Sequence, residues 1–273
     1  MDMELRARMA SLAPSLPRGG MFTGLAACAA YELWLPPTPT ESPLSVSVPS
    51  TVRGSRRAEL GVVRIAHPPA PWTWAGIPVA PVEEAILVAA SDLGMLDTVV
   101  LIDSALRAKA VTPEVLTNVA QQRRRGAPAL RKALAKADAR SESPWETLLR
   151  LFHRSINVPV EPQVRLHAPD GRFIARADLL ISGTRTLQEY DGADHREPDQ
   201  YREDRRRDAD LAAHGFIRHG WTAPDVTRDF ARVMASADRA LGRRSEDSRL
   251  DTWRAELGQS WFGRRKVVQK RAS

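Results

Sequence analysis

Three acidic side chains in the second half of the chain have the spacing of a cation site. Asp178 lies inside the largely apolar segment 174–181. Burial of an unpaired carboxylate there would destabilise the fold by several kcal/mol. Glu189 and Asp191 follow two positions apart, so in a strand they project from the same face. Carboxylates that converge repel one another, and hard oxygen ligands favour Mg²⁺ or Mn²⁺. The pattern predicts that Asp178, Glu189 and Asp191 bind one of these ions.

Each acid also has a simpler interpretation. Glu189-Tyr190-Asp191-Gly192 is also typical of a strand that ends in an Asp-Gly turn. Asp178 could accept hydrogen bonds from backbone amides. In a cation site, the carboxyl oxygens of Asp178 and Glu189 should converge within about 5 Å. If these two carboxyl groups lay on opposite faces of the sheet, or if buried arginines neutralised them, the domain would be a non-catalytic scaffold.

The elements that position these acids form the order α-β-β-β-α-β-α. Ser143-Pro144-Trp145-Glu146 has the cap, first-turn proline and capping-box glutamate of a helix start. Pro169-Asp170-Gly171 is a turn signal between two strand patterns. The predicted segments are strands 163–167, 173–181, 184–190 and 216–221 and helices 199–214 and 223–241.

The first half reads as a mixed segment followed by helices. Period-2 alternation at 44–48 predicts one strand, and Val62-Val63-Arg64-Ile65 predicts a second. Small residues after Thr23 predict a helix, and further helices are expected at 82–93, 96–107, from Thr112 and at 128–139. The polar segment 138–144 is the predicted boundary.

Composition excludes several classes of protein. The chain has 273 residues, 43% of them hydrophobic and 27% charged, which is ordinary for a globular protein. A single cysteine, Cys28, excludes an intramolecular disulfide and a Cys-rich zinc site. No signal peptide and no apolar run of about 20 residues is evident. We therefore expect a cytoplasmic protein without a membrane partner.

The net charge of +7 is unevenly distributed. Residues 143–273 carry 24 basic and 20 acidic side chains, and five of the basic ones fall in the last ten residues. Without them this half has a charge of −1. Net charge alone therefore does not predict that the folded second half binds nucleic acid.

Residues 141–225 resemble the PD-(D/E)xK nuclease superfamily, and within it the Vsr-like endonuclease fold. Four segments carry the resemblance: Ser143-Pro144-x-Glu146, Arg176-Ala177-Asp178, Glu189-Tyr190-Asp191-Gly192, and Asp204 to Leu211 with Gly215-Phe216. The resemblance implies Mg²⁺- or Mn²⁺-dependent cleavage of DNA. The catalytic set would be Glu146, Asp178, Glu189, Asp191 and His195.

One position departs from the superfamily pattern. Asp191 stands where the superfamily has a lysine, and no lysine occurs between Lys136 and Lys266. In the Vsr-like branch a histidine after the third strand does comparable work, which implies this role for His195. His153 is a second candidate, because imidazole titrates near neutral pH.

A basic cluster on the predicted helix 199–214 could contact the phosphate backbone of DNA. It consists of Arg202, Arg205, Arg206 and Arg207. Acidic residues at helical spacing, Asp204, Asp208 and Asp210, equally allow an ion-paired, solvated face.

The first half is similar to actinobacterial AbiEi-type antitoxins of type IV toxin–antitoxin systems. The resembling pieces are FTGLAACAAYELWLPP and VTPEVL. This similarity implies a protein partner in a toxin–antitoxin or defence system.

Taken together, the sequence predicts an α/β (α+β) protein. Residues 1–140 form a mixed and then helical region, and 141–245 a restriction-endonuclease-like (Vsr-like) domain with a four-stranded mixed sheet flanked by helices. Residues 246–273 form a basic, partly disordered tail. The predicted function is metal-dependent DNA cleavage. The alternative is a catalytically inactive nuclease fold that acts as an antitoxin-like regulator or as a DNA- or protein-binding module.

Overall fold

The computed structural model describes residues 3–52, 57–192 and 198–264, and for 198–204 it describes the backbone alone. The chain divides into two compact units. The first comprises 1–139 and 259–273, and the second comprises 140–258. The predicted boundary at 140/141 lies one residue from the observed one.

The first unit combines a small sheet with helices. Its strands are β1 (Met21–Phe22), β2 (Leu44–Pro49), β3 (Leu60–Ile65), β4 (Trp72–Trp74) and β5 (Ile77–Val79). Its helices are α1 (Met3–Leu12), α2 (Gly24–Ala30), α3 (Val82–Ala89), α4 (Met95–Arg107), α5 (Pro113–Ala120) and α6 (Ala127–Leu134). The sheet order is β3-β2-β1-β5-β4, with parallel pairs β2/β3 and β1/β5 and antiparallel pairs β1/β2 and β4/β5.

The second unit contains the four-stranded mixed sheet. Its strands are β6 (Val160–His167), β7 (Phe173–Ile181), β8 (Thr186–Tyr190) and β9 (Ile217–Trp221). Its helices are α7 (Pro144–Ser155), α8 (Pro198–Ala213), α9 (Ala223–Thr227), α10 (Phe230–Ala240) and α11 (Asp251–Gln259), whose last residue belongs to the first unit. The sheet order is β6-β7-β8-β9. The first three strands are antiparallel neighbours, and β9 runs parallel to β8.

Local chemistry explains where the helix before this sheet begins. The Ser143 hydroxyl accepts a hydrogen bond from Glu146 N at 3.1 Å, and Pro144 occupies the first turn, where no amide donor is needed. The apolar face of α7 then buries Leu148, Leu149 and Phe152. The predicted helix start is therefore confirmed.

The structure differs from the sequence prediction after residue 223. The expected single helix 223–241 is broken between α9 and α10. The predicted domain end at 245 also differs, because Asp247–Leu250 forms a 3₁₀ turn that leads into α11. Trp253 is fully buried and donates its indole N–H to Val226 O at 3.0 Å. Burial of this large side chain extends the second unit to Gly258. The last residues of the predicted tail, 265–273, lie outside the described residues.

None of the described helices has the length and apolar character needed to cross a membrane.

Candidate functional site

Asp178 and Glu189 lie on neighbouring strands and on the same face of the sheet. The β7/β8 register pairs Leu179 with Gln188 and Leu180 with Leu187. Continued by one residue, it places Asp178 opposite Glu189, and opposite residues of an antiparallel pair share a face. Asp178 also accepts a hydrogen bond from Tyr190 N at 3.0 Å.

The pKa of Asp178 is raised to about 7. Burial contributes most, because it disfavours the charged carboxylate, and the negative charges of Glu146 and Glu189 add to it. The hydrogen bond from Tyr190 N and the positive charge of Arg207 act in the opposite direction but do not cancel these effects. A group that titrates near pH 7 among other acids is typical of a functional site.

Glu189 is bound on both of its carboxylate oxygens by arginine. Arg207, on α8, lies 2.5 Å from Oε1, and Arg218, on β9, lies 2.5 Å from Oε2. The Glu189 side chain is only 4% exposed, so its charge would be costly without these partners. Arg207 also donates to Arg176 O on β7 at 3.0 Å. Through Arg207, the carboxylate therefore connects the sheet to α8.

Asp191 is bound by Arg218, one of the two arginines that bind Glu189. Arg218 donates to Asp191 Oδ1 at 2.6 Å, and the backbone N–H of Asp191 donates to Trp221 O at 2.7 Å. The Asp191 carboxylate passes over Gly220, where an added Cβ would overlap its Oδ2 atom. The position therefore requires glycine if Asp191 is to remain on Arg218.

Arg218 carries the charge that balances these two acids. Burial alone disfavours its charged form, but the hydrogen bond with Glu189 and the negative charges of Glu189 and Asp191 hold its pKa above the ordinary value. The guanidinium therefore remains charged throughout the physiological pH range.

Glu146 approaches Asp178 from the start of α7. Its Oε2 accepts from Glu142 N and from Gln163 Nε2, both at 2.8 Å. The pKa of Glu146 is raised chiefly by burial. Glu146 is therefore held in place and contributes negative charge beside Asp178.

The two candidate histidines have different outcomes. His195 lies outside the described residues. His153 is fully buried, its Nδ1 donates to Leu149 O at 2.8 Å, and burial lowers its pKa to about 4. It lies by Gln188, which projects from the face of β8 opposite to Glu189. The structure therefore corrects the expectation for His153, which is a neutral residue of the core.

The predicted DNA-binding arginines divide into two groups. The side chain of Arg202 is not among those described. Arg205 and Arg206 are exposed on α8, whereas Arg207 binds Glu189 and the backbone of β7. Arg207 therefore supports the carboxylate site instead of presenting a free charge to a phosphate.

Sequence reasoning missed Arg218 and Gly220. A signal for Arg218 was present, because it is a charged residue within the predicted strand 216–221. What could not be read from the sequence is that β9 pairs in parallel with β8, which places Leu187 beside Arg218 and Glu189 beside Gly220.

The arrangement meets one of the two conditions set for a magnesium or manganese site, because Asp178 and Glu189 share a face of the sheet, whereas arginines bind Glu189 and Asp191. Within the described residues, no group of three or more His, Cys, Asp or Glu side chains is arranged to hold a metal. However, Mg²⁺ in proteins commonly uses only one or two carboxylates and completes its shell with water and phosphate oxygens. Each oxygen of Glu189 accepts one arginine bond and has a second lone pair. Asp178 and Glu189 are therefore the pair that could hold such an ion.

Comparisons with protein-family models, with curated proteins and with solved structures give no match to this chain.

Proposed function

We propose that the second unit is a metal-dependent DNA endonuclease of the Vsr-like type that hydrolyses phosphodiester bonds. The observation that carries this proposal is the placement of Asp178 opposite Glu189, with Glu146 close enough to raise the pKa of Asp178. Burial and the charges of Glu146 and Glu189 disfavour the ionised form of Asp178, even though two arginines bind Glu189. A divalent cation would relieve this repulsion.

The order of elements supports the proposal. A helix carrying Glu146, three antiparallel strands, a helix carrying arginines and a parallel fourth strand follow one another in the second unit. The resemblance drawn from the sequence implies this same order. A fold does not by itself determine an activity, so the proposal depends on the arrangement of the carboxylates.

The residues have separate roles in this proposal. Asp178 and Glu189 would hold Mg²⁺ or Mn²⁺, with Asp191 beside them. The ion would supply an acidified water and stabilise charge on the phosphate. Glu146 adds negative charge, and Arg218 keeps Glu189 and Asp191 in place. His195 would accept a proton from the attacking water. The arginines Arg202, Arg205 and Arg206 would contact DNA phosphates.

Plasmid nicking tests the proposal. Wild-type protein is compared with Asp178→Ala and Glu189→Ala in Mg²⁺ or Mn²⁺. Glu161→Ala is the matched control, since it removes an exposed carboxylate from β6 of the same sheet. We expect each site variant to lose at least about 100-fold, because removal of groups that merely support metal ligands already costs 10- to 100-fold. Equal nicking by all four proteins would indicate a contaminating nuclease and refute the activity.

The alternative is a catalytically inactive nuclease fold that binds DNA or a protein partner, as an antitoxin-like regulator does. It is favoured by the two arginines on Glu189 and by Asp191 in place of the superfamily lysine. Calorimetric titration with Mn²⁺ distinguishes the two functions. The endonuclease predicts a saturable site that Asp178→Ala removes. The inactive fold predicts no such site and binding to a partner that does not depend on the metal.

A further inference from the structure

The two arginines that bind Glu189 are held by different numbers of acids. Arg218 binds Glu189 at 2.5 Å and Asp191 at 2.6 Å. Among the described side chains, Glu189 is the one carboxylate that Arg207 binds, at 2.5 Å, and its other partner is the neutral backbone oxygen of Arg176. If the bond to Glu189 were broken, Arg218 would therefore keep an acidic partner and Arg207 would not.

The two arginines also differ in how freely they can move. Arg218 is an interior residue of β9, where the pairing with β8 places it beside Leu187. Arg207 projects from α8, and its side chain is 31% exposed, against 21% for Arg218. An arginine side chain has many rotamers in water. Arg207 can therefore turn toward solvent without any change in the sheet.

The charge of Arg207 acts on both of the proposed metal ligands. It binds Glu189, and it partly offsets the burial that raises the pKa of Asp178. An ion held by Asp178 and Glu189 would therefore lie close to the guanidinium. Like charges repel more strongly in a partly buried site than in water, because the effective dielectric constant is lower there. The ion and Arg207 therefore compete for Glu189.

We propose that Arg207 is an exchangeable partner of Glu189, which a divalent cation displaces when it binds to Asp178 and Glu189, whereas Arg218 stays in place. This exchange depends on the metal site of the proposed function and regulates it. Because Arg207 competes with the ion, it sets the metal concentration at which the site fills.

Calorimetric titration of the full chain with Mn²⁺ tests the exchange. Arg207→Gln should bind Mn²⁺ at least about tenfold more tightly than wild type, because it removes a positive charge beside the ion. Arg207→Lys keeps the charge and should stay within about threefold of wild type. Arg244→Gln is the matched control, since it removes an exposed arginine of the same unit outside the acidic site. It should change the affinity by less than about twofold.

Urea denaturation gives a second signature of the exchange. Without metal, Arg207→Gln should unfold at a lower urea concentration than wild type, because Glu189 keeps only Arg218 as a partner. At the same Mn²⁺ concentration the midpoint should rise more in Arg207→Gln than in wild type, because a tighter ligand stabilises the folded state more. A purely structural role of Arg207 predicts the loss of stability without the larger response to metal.

NMR of the wild-type protein does not require Arg207→Gln to fold. The guanidinium N–H signals of Arg207 are assigned by their absence from Arg207→Lys. Saturating Mg²⁺ should speed their exchange with water to the rate of the exposed Arg244, whereas the signals of Arg218 should remain protected.

Failure of the exchange can be distinguished from failure of the metal site. If wild type binds Mn²⁺ and Asp178→Ala does not, equal affinities of wild type and Arg207→Gln would overturn the exchange and leave the metal site intact. An Arg207 signal that Mg²⁺ saturation leaves unchanged would do the same. If neither wild type nor Arg207→Gln shows saturable Mn²⁺ binding, both the metal site and the exchange are wrong.

Discussion

The two units treat a buried carboxylate in opposite ways. In the first unit, Asp97 is surrounded by donors: a hydroxyl of Ser260 and the backbone amides of Gly94 and Trp261. In the second unit, Asp178 receives a hydrogen bond from Tyr190 N but lies beside Glu146 and Glu189. Burial raises the pKa of both acids, but only Asp178 has neighbouring carboxylates that raise it further.

This difference separates an acid whose charge is satisfied by donors from one whose charge is opposed by neighbouring acids. Asp97 is matched to donors, so it joins the C-terminal segment to α4 and has no need of a ligand. Asp178 remains incompletely compensated, which is expected where a protein retains an electrostatic cost for function. The second unit can also neutralise an acid fully, because Arg243 and Arg249 both bind the buried Asp238. The crowding at Asp178 is therefore local.

The largest expected effect concerns Arg218. Arg218→Gln should lower the free energy of unfolding by about 3 kcal/mol, because it leaves Glu189 buried with one fewer positive partner and also releases Asp191. Arg125→Gln in the first unit removes an arginine from an ion pair with Asp92 whose side chains are 81% and 59% exposed, and should cause no measurable change. Urea denaturation measures both. Equal stabilities would show that Arg218 does not hold the acidic site together.

Asp97→Asn should destabilise the chain by about 2 kcal/mol, because the amide that replaces one oxygen would face the donors that the carboxylate now satisfies. The same change should loosen the segment that contains Trp261, which tryptophan fluorescence can follow. A variant as stable as wild type would remove the contrast between the two acids.

Asp178→Asn should raise the free energy of unfolding, in contrast to Asp97→Asn. Because the folded pKa of Asp178, about 7, exceeds the ordinary value of 3.8 for an aspartate, folding favours its protonated form. Wild type therefore loses stability relative to the variant as pH rises from about 4 to about 7, and the difference is constant above that. We expect a gain of about 1–2 kcal/mol at pH 8, less than the full shift implies, because the carboxyl is partly exposed.

Thermal or urea unfolding of the two proteins at pH 4 and pH 8, with a chelator present, measures this gain. A variant that is destabilised at pH 8 would mean that the neighbouring acids do not crowd Asp178.

The smallest expected effect is at Gly220. Gly220→Ala should cost about 1 kcal/mol, because the added Cβ displaces the Asp191 carboxylate from Arg218. Gly258→Ala, in the helix α11 where a Cβ meets no neighbour within 4 Å, should instead stabilise by up to about 1 kcal/mol. Urea denaturation separates the two signs, and two variants of equal stability would mean that Asp191 is not held over Gly220.

Local signals predicted much of the second unit. The strand 173–181 coincides with β7, because Pro169-Asp170-Gly171 ends the preceding strand and the run after it alternates. Helix α7 follows from its cap and proline. The break between α9 and α10 was missed, although Asp229, the N-cap of α10, is a residue type typical of a helix start. In the first unit, the two-residue strand β1 is too short to have a period.

The sequence by itself determined which acids could act together, because the alternation of side chains along a strand places Asp178, Glu189 and Asp191 with few alternatives. Only the tertiary structure decided which cations meet them. Arg207 and Arg218 come from elements that are 18 and 29 residues beyond Glu189, and their approach depends on how α8 packs and how β9 pairs. Strand periodicity is a local property of the chain, whereas charge compensation depends on contacts between distant segments.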